Sequence, residues 1–151
     1  MDVAQDDGTS NGRPAGERGE FHAITVNLPS FDPLDLKVDW KVLPTGLMYR
    51  ILNLPYQTEQ LANQIAGVFE YDYPPDYADF FWERQHGFAE LGLEVDELVK
   101  QLRVHAGLPT PIPKKGEWNR GSLLREQRDK LVRVREEFES QQMANHQAIS
   151  I

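Results

Sequence analysis

The sequence has no cysteine among its 151 residues, so it can form neither a disulfide bond nor a thiolate metal site. This absence favours a reducing compartment. The first twenty residues lack a basic start followed by an apolar segment, so we expect no secretory signal peptide there. No apolar run approaches the roughly 18 residues that a membrane span requires, so we expect a soluble, cytoplasmic protein without a membrane partner.

Basic residues are scarce relative to acidic ones, and the net charge is −8. Residues 1–110 hold eight Lys and Arg against eighteen Asp and Glu, whereas residues 111–151 hold eight against six. An acidic body repels a phosphate backbone, and the slight basic excess near the end does not reverse that. The charge therefore argues against a nucleic-acid partner.

The usual motifs of catalysis and phosphate binding are also missing: the sequence has no G-x-S-x-G and no G-x-x-x-x-G-K-S/T. Glu83 and His86 have the i, i+3 spacing of two metal ligands on one helix face. A di-iron bundle requires that pair twice, and a zinc site requires a third ligand, which the sequence does not suggest. We therefore predict no catalytic residue, no metal site, no cofactor and no enzyme activity.

The composition predicts one folded domain with less ordered ends. Hydrophobic residues make up 40% and charged residues 26% of the chain, close to the globular average. Residues 1–20 combine Asp, Gly, Ser, Asn and Pro with few apolar side chains, so we expect a disordered tail there. The globular domain should then cover residues 21–108.

Two segments near the start of this domain have the alternation of half-buried strands. Residues 24–28 place an apolar side chain at every second position, and residues 34–42 alternate strictly between apolar and charged side chains. Turn-forming residues separate the two segments. The pattern predicts an antiparallel β-hairpin, and because two strands alone are marginally stable, helices should cover its apolar face.

Four amphipathic helices are predicted to supply that cover. The first ends at Pro55, and Thr58 is a suitable N-cap for the second. The third should begin at Asp76 and break at Gly87. The fourth has acidic side chains at its start and basic ones at its end, which matches the helix dipole, and it should end at Gly107 in a left-handed C-cap.

A linker and a separate arm are predicted for the rest of the chain: a Pro-containing linker at 109–121, a charged helix at 122–142 and a frayed tail at 143–151. The apolar seam of this helix repeats every seven residues, and it is too thin for a self-sufficient coiled coil. The seam must therefore dock on the domain, on another subunit or on a partner. The expected fold is α+β and mainly α, with an N-terminal β-hairpin packed on a four-helix cluster and a separate long C-terminal helix.

Residues 70–82 interleave aromatic and acidic side chains around a Pro-Pro loop, and two interpretations are open. Tyr77, Phe80 and Phe81 are core residues that the loop caps, or the segment is a protein-binding surface, where Tyr and Trp are enriched. Under the second interpretation, the candidate protein-binding residues are Tyr71, Asp72, Tyr73, Asp76, Tyr77 and Trp82, together with Leu124, Leu131 and Phe138 of the helical seam.

The segments "VDWKVLPTGLMYRILN", "YADFFWERQHGF" and "LGLEVDELVKQLRVHAGLPTP" together make the chain similar to the tail assembly chaperones of long-tailed bacteriophages, over about residues 34–113. The resemblance implies a non-catalytic protein of the host cytoplasm that coats the tape-measure protein, several copies per client. The aromatic and acidic segment would hold this helical client, and the tail from Lys114 would recruit tail-tube subunits. Many family members have a low-complexity tail there, whereas this chain has a charged helix.

The competing interpretation is an adaptor or a structural assembly component outside that pathway. Such a protein would use the C-terminal helix to form a homo-oligomer, and it would remain in the finished assembly. A chaperone would instead solubilise its client and be absent from finished particles.

Overall fold

The computed structural model describes residues 1–149, which form a mainly helical structure with one two-stranded antiparallel hairpin. The mainly helical α+β class is therefore confirmed. The hairpin consists of β1 (Thr9–Ser10) and β2 (Arg13–Pro14), and the helices are α1 (Thr45–Leu52), α2 (Leu54–Phe69), α3 (Ala78–His105) and α4 (Arg120–Ile149). Three 3-10 turns lie at Asp2–Gln5, Pro33–Asp35 and Trp40–Val42. No helix within residues 1–149 is both long and apolar enough to cross a membrane.

Helix α3 is the element on which the other helices pack. The sequence predicted a break at Gly87, but α3 continues through it and through Gly92. A Cβ atom on Gly87 would lie 2.4 Å from Leu61 Cδ1 of α2, and one on Gly92 would lie 3.0 Å from Leu124 Cδ1 of α4. These glycines are close-contact sites for the neighbouring helices, which offsets their low helix propensity. Similarly, Pro55 lies in the first turn of α2, where proline is tolerated, and does not end a helix.

The hairpin lies within residues 1–20, which were predicted to be disordered. Its two-residue loop is Asn11 and Gly12, and both have positive φ, as the favoured hairpin turns require. The segments predicted as strands, residues 24–28 and 34–42, contain no strand. Residues 34–42 instead include parts of two 3-10 turns, which begin after Asp32 and Asp39.

A buried ion pair explains why the N-terminus is ordered. The Asp6 carboxylate lies 3.3 Å from Arg84 Nη2 of α3, and neither side chain has more than 1% of its surface exposed. Asp6 also accepts hydrogen bonds from the Gly8, Thr25 and Val26 backbone amides and from the Thr25 hydroxyl. Arg84 also donates to the Val26 carbonyl. This network ties the N-terminal segment to the second turn of α3.

The same network makes the stability of the fold depend on pH. Burial raises the pKa of the Asp6 carboxyl, but the hydrogen bonds from Thr25, Gly8 and Val26 together lower it further, so the net pKa lies below its usual range. As the pH falls, the Asp6 carboxylate therefore binds a proton in the unfolded chain before it does so in the folded chain. The contribution of Asp6 to the free energy of unfolding is complete above about pH 4 and declines as the pH falls toward the folded-state pKa.

We expect urea unfolding of the wild type between pH 5 and pH 2.5 to show a steeper loss of stability than unfolding of Asp6→Asn. The variant has no titrating group at this position, so its remaining slope reports the other carboxylates. Equal slopes for the two proteins would contradict the lowered pKa of Asp6.

The C-terminal helix is not separate from the domain, because its first half runs antiparallel along α3. Leu124 is buried with Ala4 and Ala89, and the Gln127 side chain donates a 2.8 Å hydrogen bond to the Ala4 carbonyl. Residues 108–119, which include most of the predicted linker, form neither helix nor strand. The predicted frayed tail is helical through residue 149, and residues 150–151 lie outside the described residues.

Candidate protein-binding site

The loop between α2 and α3 places two tyrosines outward. Tyr71 is 80% exposed and Tyr73 is 79% exposed. Between them, one carboxylate oxygen of Asp72 accepts from the Tyr73 amide at 2.8 Å, and the other accepts from the Phe80 amide at 2.7 Å. Asp72 therefore satisfies an otherwise free amide in the first turn of α3 and fixes the loop to this helix.

Tyr77 is a packing residue, unlike the two tyrosines before it. It has a left-handed backbone conformation with φ of 46°, which turns the chain into α3. Its ring centroid lies 5.1 Å from that of Phe69, next to the buried Phe80 and Phe81. Asp76 is exposed, and within residues 1–149 it has no hydrogen-bond or ion-pair partner. Tyr77 is therefore a core residue, as the first interpretation holds, while the side chains of Tyr71 and Tyr73 are exposed to solvent.

Trp82 is covered by other parts of the same chain. Its ring stacks on His86 with centroids 4.6 Å apart, and its indole Nε1 donates a 3.0 Å hydrogen bond to the Leu131 carbonyl of α4. The Arg135 guanidinium lies 4.5 Å above the ring and forms an ion pair with Asp79 at 2.6 Å. Trp82 thus helps to dock α4 on α3, a role that the sequence pattern did not indicate.

A shallow cleft of about 410 Å³ adjoins the exposed tyrosine loop. Its lining residues come from the last turns of α2, the loop and the start of α3: Gln64, Gly67, Val68, Tyr71, Asp72 and Asp79. The floor is apolar and one edge is acidic. A cleft of this size suits a side chain of a partner rather than a whole helix.

The seven-residue seam of α4 divides into a docked part and a free part. Leu124 is 1% exposed and Leu131 is half-buried, whereas Phe138 is 54% exposed. Arg135 already reaches the first turn of α3, so the 14 residues beyond it extend about 20 Å past that contact. Leu124 is therefore not available to a partner, and Phe138 is.

Glu83 and His86 do not act together. Glu83 accepts a hydrogen bond from the Gln64 side chain, and His86 lies between Trp82 and Glu90, whose carboxylate is 4.0 Å from His86 Nε2. Within residues 1–149, no three His, Asp or Glu side chains converge in a way that could hold a metal ion.

A second cleft, of about 700 Å³, lies between α1 and the end of α3. Several of its charged side chains already bind within the protein: Arg50 contacts Glu94 and Gln101, and Lys100 lies 2.8 Å from Asp96. Two of the cationic side chains that line the cleft are therefore already paired with carboxylates of α3.

Sequence reasoning missed the cleft residues Gln64 and Gly67 and the covering residue Arg135. No local sequence pattern identifies Gln64 and Gly67, because the cleft forms only when α2 and α3 pack together. Comparisons with protein-family models, with curated proteins and with solved structures find no match for this chain.

Proposed function

We propose that this is a non-catalytic protein-binding protein, a tail assembly chaperone of a long-tailed bacteriophage that holds a helical, tape-measure-like client in the host cytoplasm. The observation that carries the proposal is the pair of tyrosines, Tyr71 and Tyr73, almost fully exposed beside an apolar cleft. Exposed aromatic side chains at a pocket are the typical anchors of protein interfaces, because they bury a large area at low entropic cost.

The fixed backbone of the loop supports this role. Because Asp72 already ties the loop to α3, little conformational entropy is lost when a partner contacts Tyr71 and Tyr73. The cleft would accept one large apolar side chain of the client helix. The amphipathic helix of the client would then present such a side chain about once per turn, so several copies can bind along one client.

The charge of the surface supports a client with basic residues. Asp72, Asp76 and Asp79 border the cleft or its loop, and in the described part of the chain only Asp79 has a cationic partner, Arg135. Asp76 is exposed and has no charged partner there. Such an acidic rim speeds encounter with a basic helix and disfavours acidic ones, although each exposed ion pair adds little affinity.

We expect Tyr71→Ala/Tyr73→Ala to weaken client binding at least about 30-fold, the effect of losing one interface hot spot. Both side chains are exposed, so the free energy of unfolding should change by no more than about 0.5 kcal/mol. Binding is measured by titration with a purified helical segment of a tape-measure protein, and stability by urea unfolding.

The matched control is Tyr49→Ala/Tyr56→Ala, which removes two tyrosines that are 66% and 58% exposed on α1 and α2. This control should bind the client as the wild type does. Equal losses for the two double variants would show that the tyrosine loop is not the binding site. A large loss of stability in Tyr71→Ala/Tyr73→Ala would show that these residues belong to the fold.

One observation favours a second candidate, an adaptor or structural component that oligomerises through α4. The free part of this helix exposes large apolar side chains, among them Phe138 and Met143. Unpartnered apolar side chains on a projecting helix are typical of a subunit contact. Purified phage particles distinguish the candidates, because a chaperone is absent from them and a structural component is present.

A further inference from the structure

Residues 34–42 have the sequence of a β-strand, yet the single chain folds them without one. Along this segment the apolar side chains Leu34, Leu36, Val38 and Val42 are all exposed, Leu34 to 72% and Val42 to 64%. Strict alternation with charged side chains favours a strand that has one face covered. The segment therefore has the residue pattern of a strand, and no strand within residues 1–149 pairs with it.

Most hydrogen bonds of the segment are local. The Asp32 and Asp39 carboxylates accept from the Leu34 and Lys41 amides at 2.9 and 3.1 Å, the Val38 amide donates to the Leu36 carbonyl at 3.0 Å, and one contact from elsewhere joins His105 Nε2 to the Val42 carbonyl at 3.0 Å. The bonds that close its two 3-10 turns have long N···O distances: 3.2 Å for Leu36 to Pro33, 3.2 Å for Val42 to Asp39 and 3.3 Å for Leu43 to Trp40. Good N–H···O bonds in proteins lie near 2.9–3.0 Å. An extended conformation with a complete set of ladder bonds can therefore replace these turns.

We propose that residues 34–42 pair with the same residues of a second copy of this chain, as an antiparallel two-stranded ribbon centred on Val38. The charges of the segment decide the partner and the register. Every charged residue then faces one of opposite sign, and the cross-strand pairs are Asp35–Lys41, Lys37–Asp39, Leu34–Val42, Leu36–Trp40 and Val38–Val38. Opposite charges and apolar side chains directly across a ladder both stabilise it.

Other alignments of two copies are disfavoured. A shift of two residues in either direction places Lys37 opposite Lys37 or Asp39 opposite Asp39. A parallel, in-register pair places every charge opposite itself. A shift of one residue puts charged side chains opposite apolar ones. The segment is thus complementary to a second copy of itself in one antiparallel register. A two-fold symmetric dimer requires this kind of self-complementary surface.

The fold provides cover for one face of the ribbon. Trp40 packs against the buried cluster that includes Leu47, Ile51 and Leu98. In a strand, the apolar residues at 34, 36, 38 and 42 are on the same face as Trp40, so this face lies toward the helices. That cover removes the weakness of an isolated two-stranded ribbon. The surface shares no residue with the tyrosine loop or with α4, and the inference does not rest on the proposed function.

Charge reversal in the full-length chain tests the ribbon. Sedimentation velocity across a concentration series should show a dimer for the wild type. Two-fold symmetry means that Lys37→Asp creates two like-charge pairs, and so does Asp39→Lys. Each variant should raise the dissociation constant of the dimer at least about 10-fold. The control Lys115→Asp makes the same charge change outside the segment and should dimerise as the wild type does.

Mixing the two variants restores the complementarity. In a heterodimer of Lys37→Asp with Asp39→Lys, each acid again faces a base, so an equimolar mixture should dimerise although neither variant does alone. The double variant Lys37→Asp/Asp39→Lys should also dimerise, and it carries the same net charge as the wild type. A monomeric wild type throughout the series, a dimer insensitive to both reversals, or folded variants that fail to dimerise when mixed would each overturn the proposal.

Discussion

Replacing Asp6 with alanine is expected to lower the free energy of unfolding by about 3–5 kcal/mol, the usual cost of removing one partner of a buried ion pair. The variant leaves the Arg84 guanidinium in the core without its counter-ion, and Arg84 Nε and Nη1 already lack hydrogen-bond partners within the described residues. It also removes the acceptor of the Thr25 and Val26 amides. The free energy of unfolding of a small domain is about 5–15 kcal/mol, so the variant would lose a large share of its stability.

Asp2→Ala is the matched control for this experiment, because Asp2 lies in the same N-terminal turn and is exposed. We expect it to change the free energy of unfolding by less than about 0.5 kcal/mol. Urea unfolding followed by circular dichroism measures both variants. If Asp6→Ala were as mild as Asp2→Ala, residues 1–8 would not be anchored to α3, and the N-terminus would be the tail that its composition suggested.

The helices could be predicted from the sequence because their signals are local. Apolar spacing located α1, α2 and α4, and the left-handed Gly107 that follows α3 has a positive φ as expected. The break predicted at Gly87 was wrong, because the reason for this glycine is the Leu61 side chain of another helix. Periodicity within one segment carries no information about such a neighbour.

The N-terminal region was mispredicted for two different reasons. The Asn11–Gly12 pair is a strong local hairpin signal, and a prediction made from the polar composition of residues 1–20 did not use it. The anchor of this region could not be predicted in the same way, since Asp6 and Arg84 are 78 positions apart and only the fold brings them together. An arginine in the apolar stripe of α3, between Phe81 and Phe88, was the available hint that a buried acid would be needed.

The candidate site was predictable only as a region. The interleaved aromatic and acidic residues marked the loop after α2, and Tyr71 and Tyr73 are indeed exposed there. Which aromatic residues are free depends on α4, since it covers Trp82 with Arg135 and accepts the indole hydrogen bond at Leu131. From the sequence alone, α4 could dock on the domain, on another subunit or on a partner, so the covered and the exposed aromatic residues could not be told apart.

Truncating Leu124 to alanine is expected to lower the free energy of unfolding by about 2–5 kcal/mol. Leu124 is 1% exposed, and its side chain lies directly against the α3 backbone at Gly92, where a Cβ atom would be only 3.0 Å from it. The buried neighbours Ala4 and Ala89 are too small to fill the space that the leucine leaves, and the larger Met1 and Leu93 are only partly buried at the edge of this cluster. The docked half of α4 should pack less tightly on α3 in this variant. Urea unfolding and hydrogen exchange of the α4 amides would detect both effects.

Phe138→Ala tests the other end of the same seam and serves as the control. Phe138 is 54% exposed beyond the last contact with α3, so its truncation should change the stability of the monomer by less than about 0.5 kcal/mol. Equal losses at Leu124 and Phe138 would contradict the division of α4 into docked and free halves. A loss at Phe138 that grows with protein concentration would instead identify the free half as a subunit contact, because only a contact between chains depends on concentration.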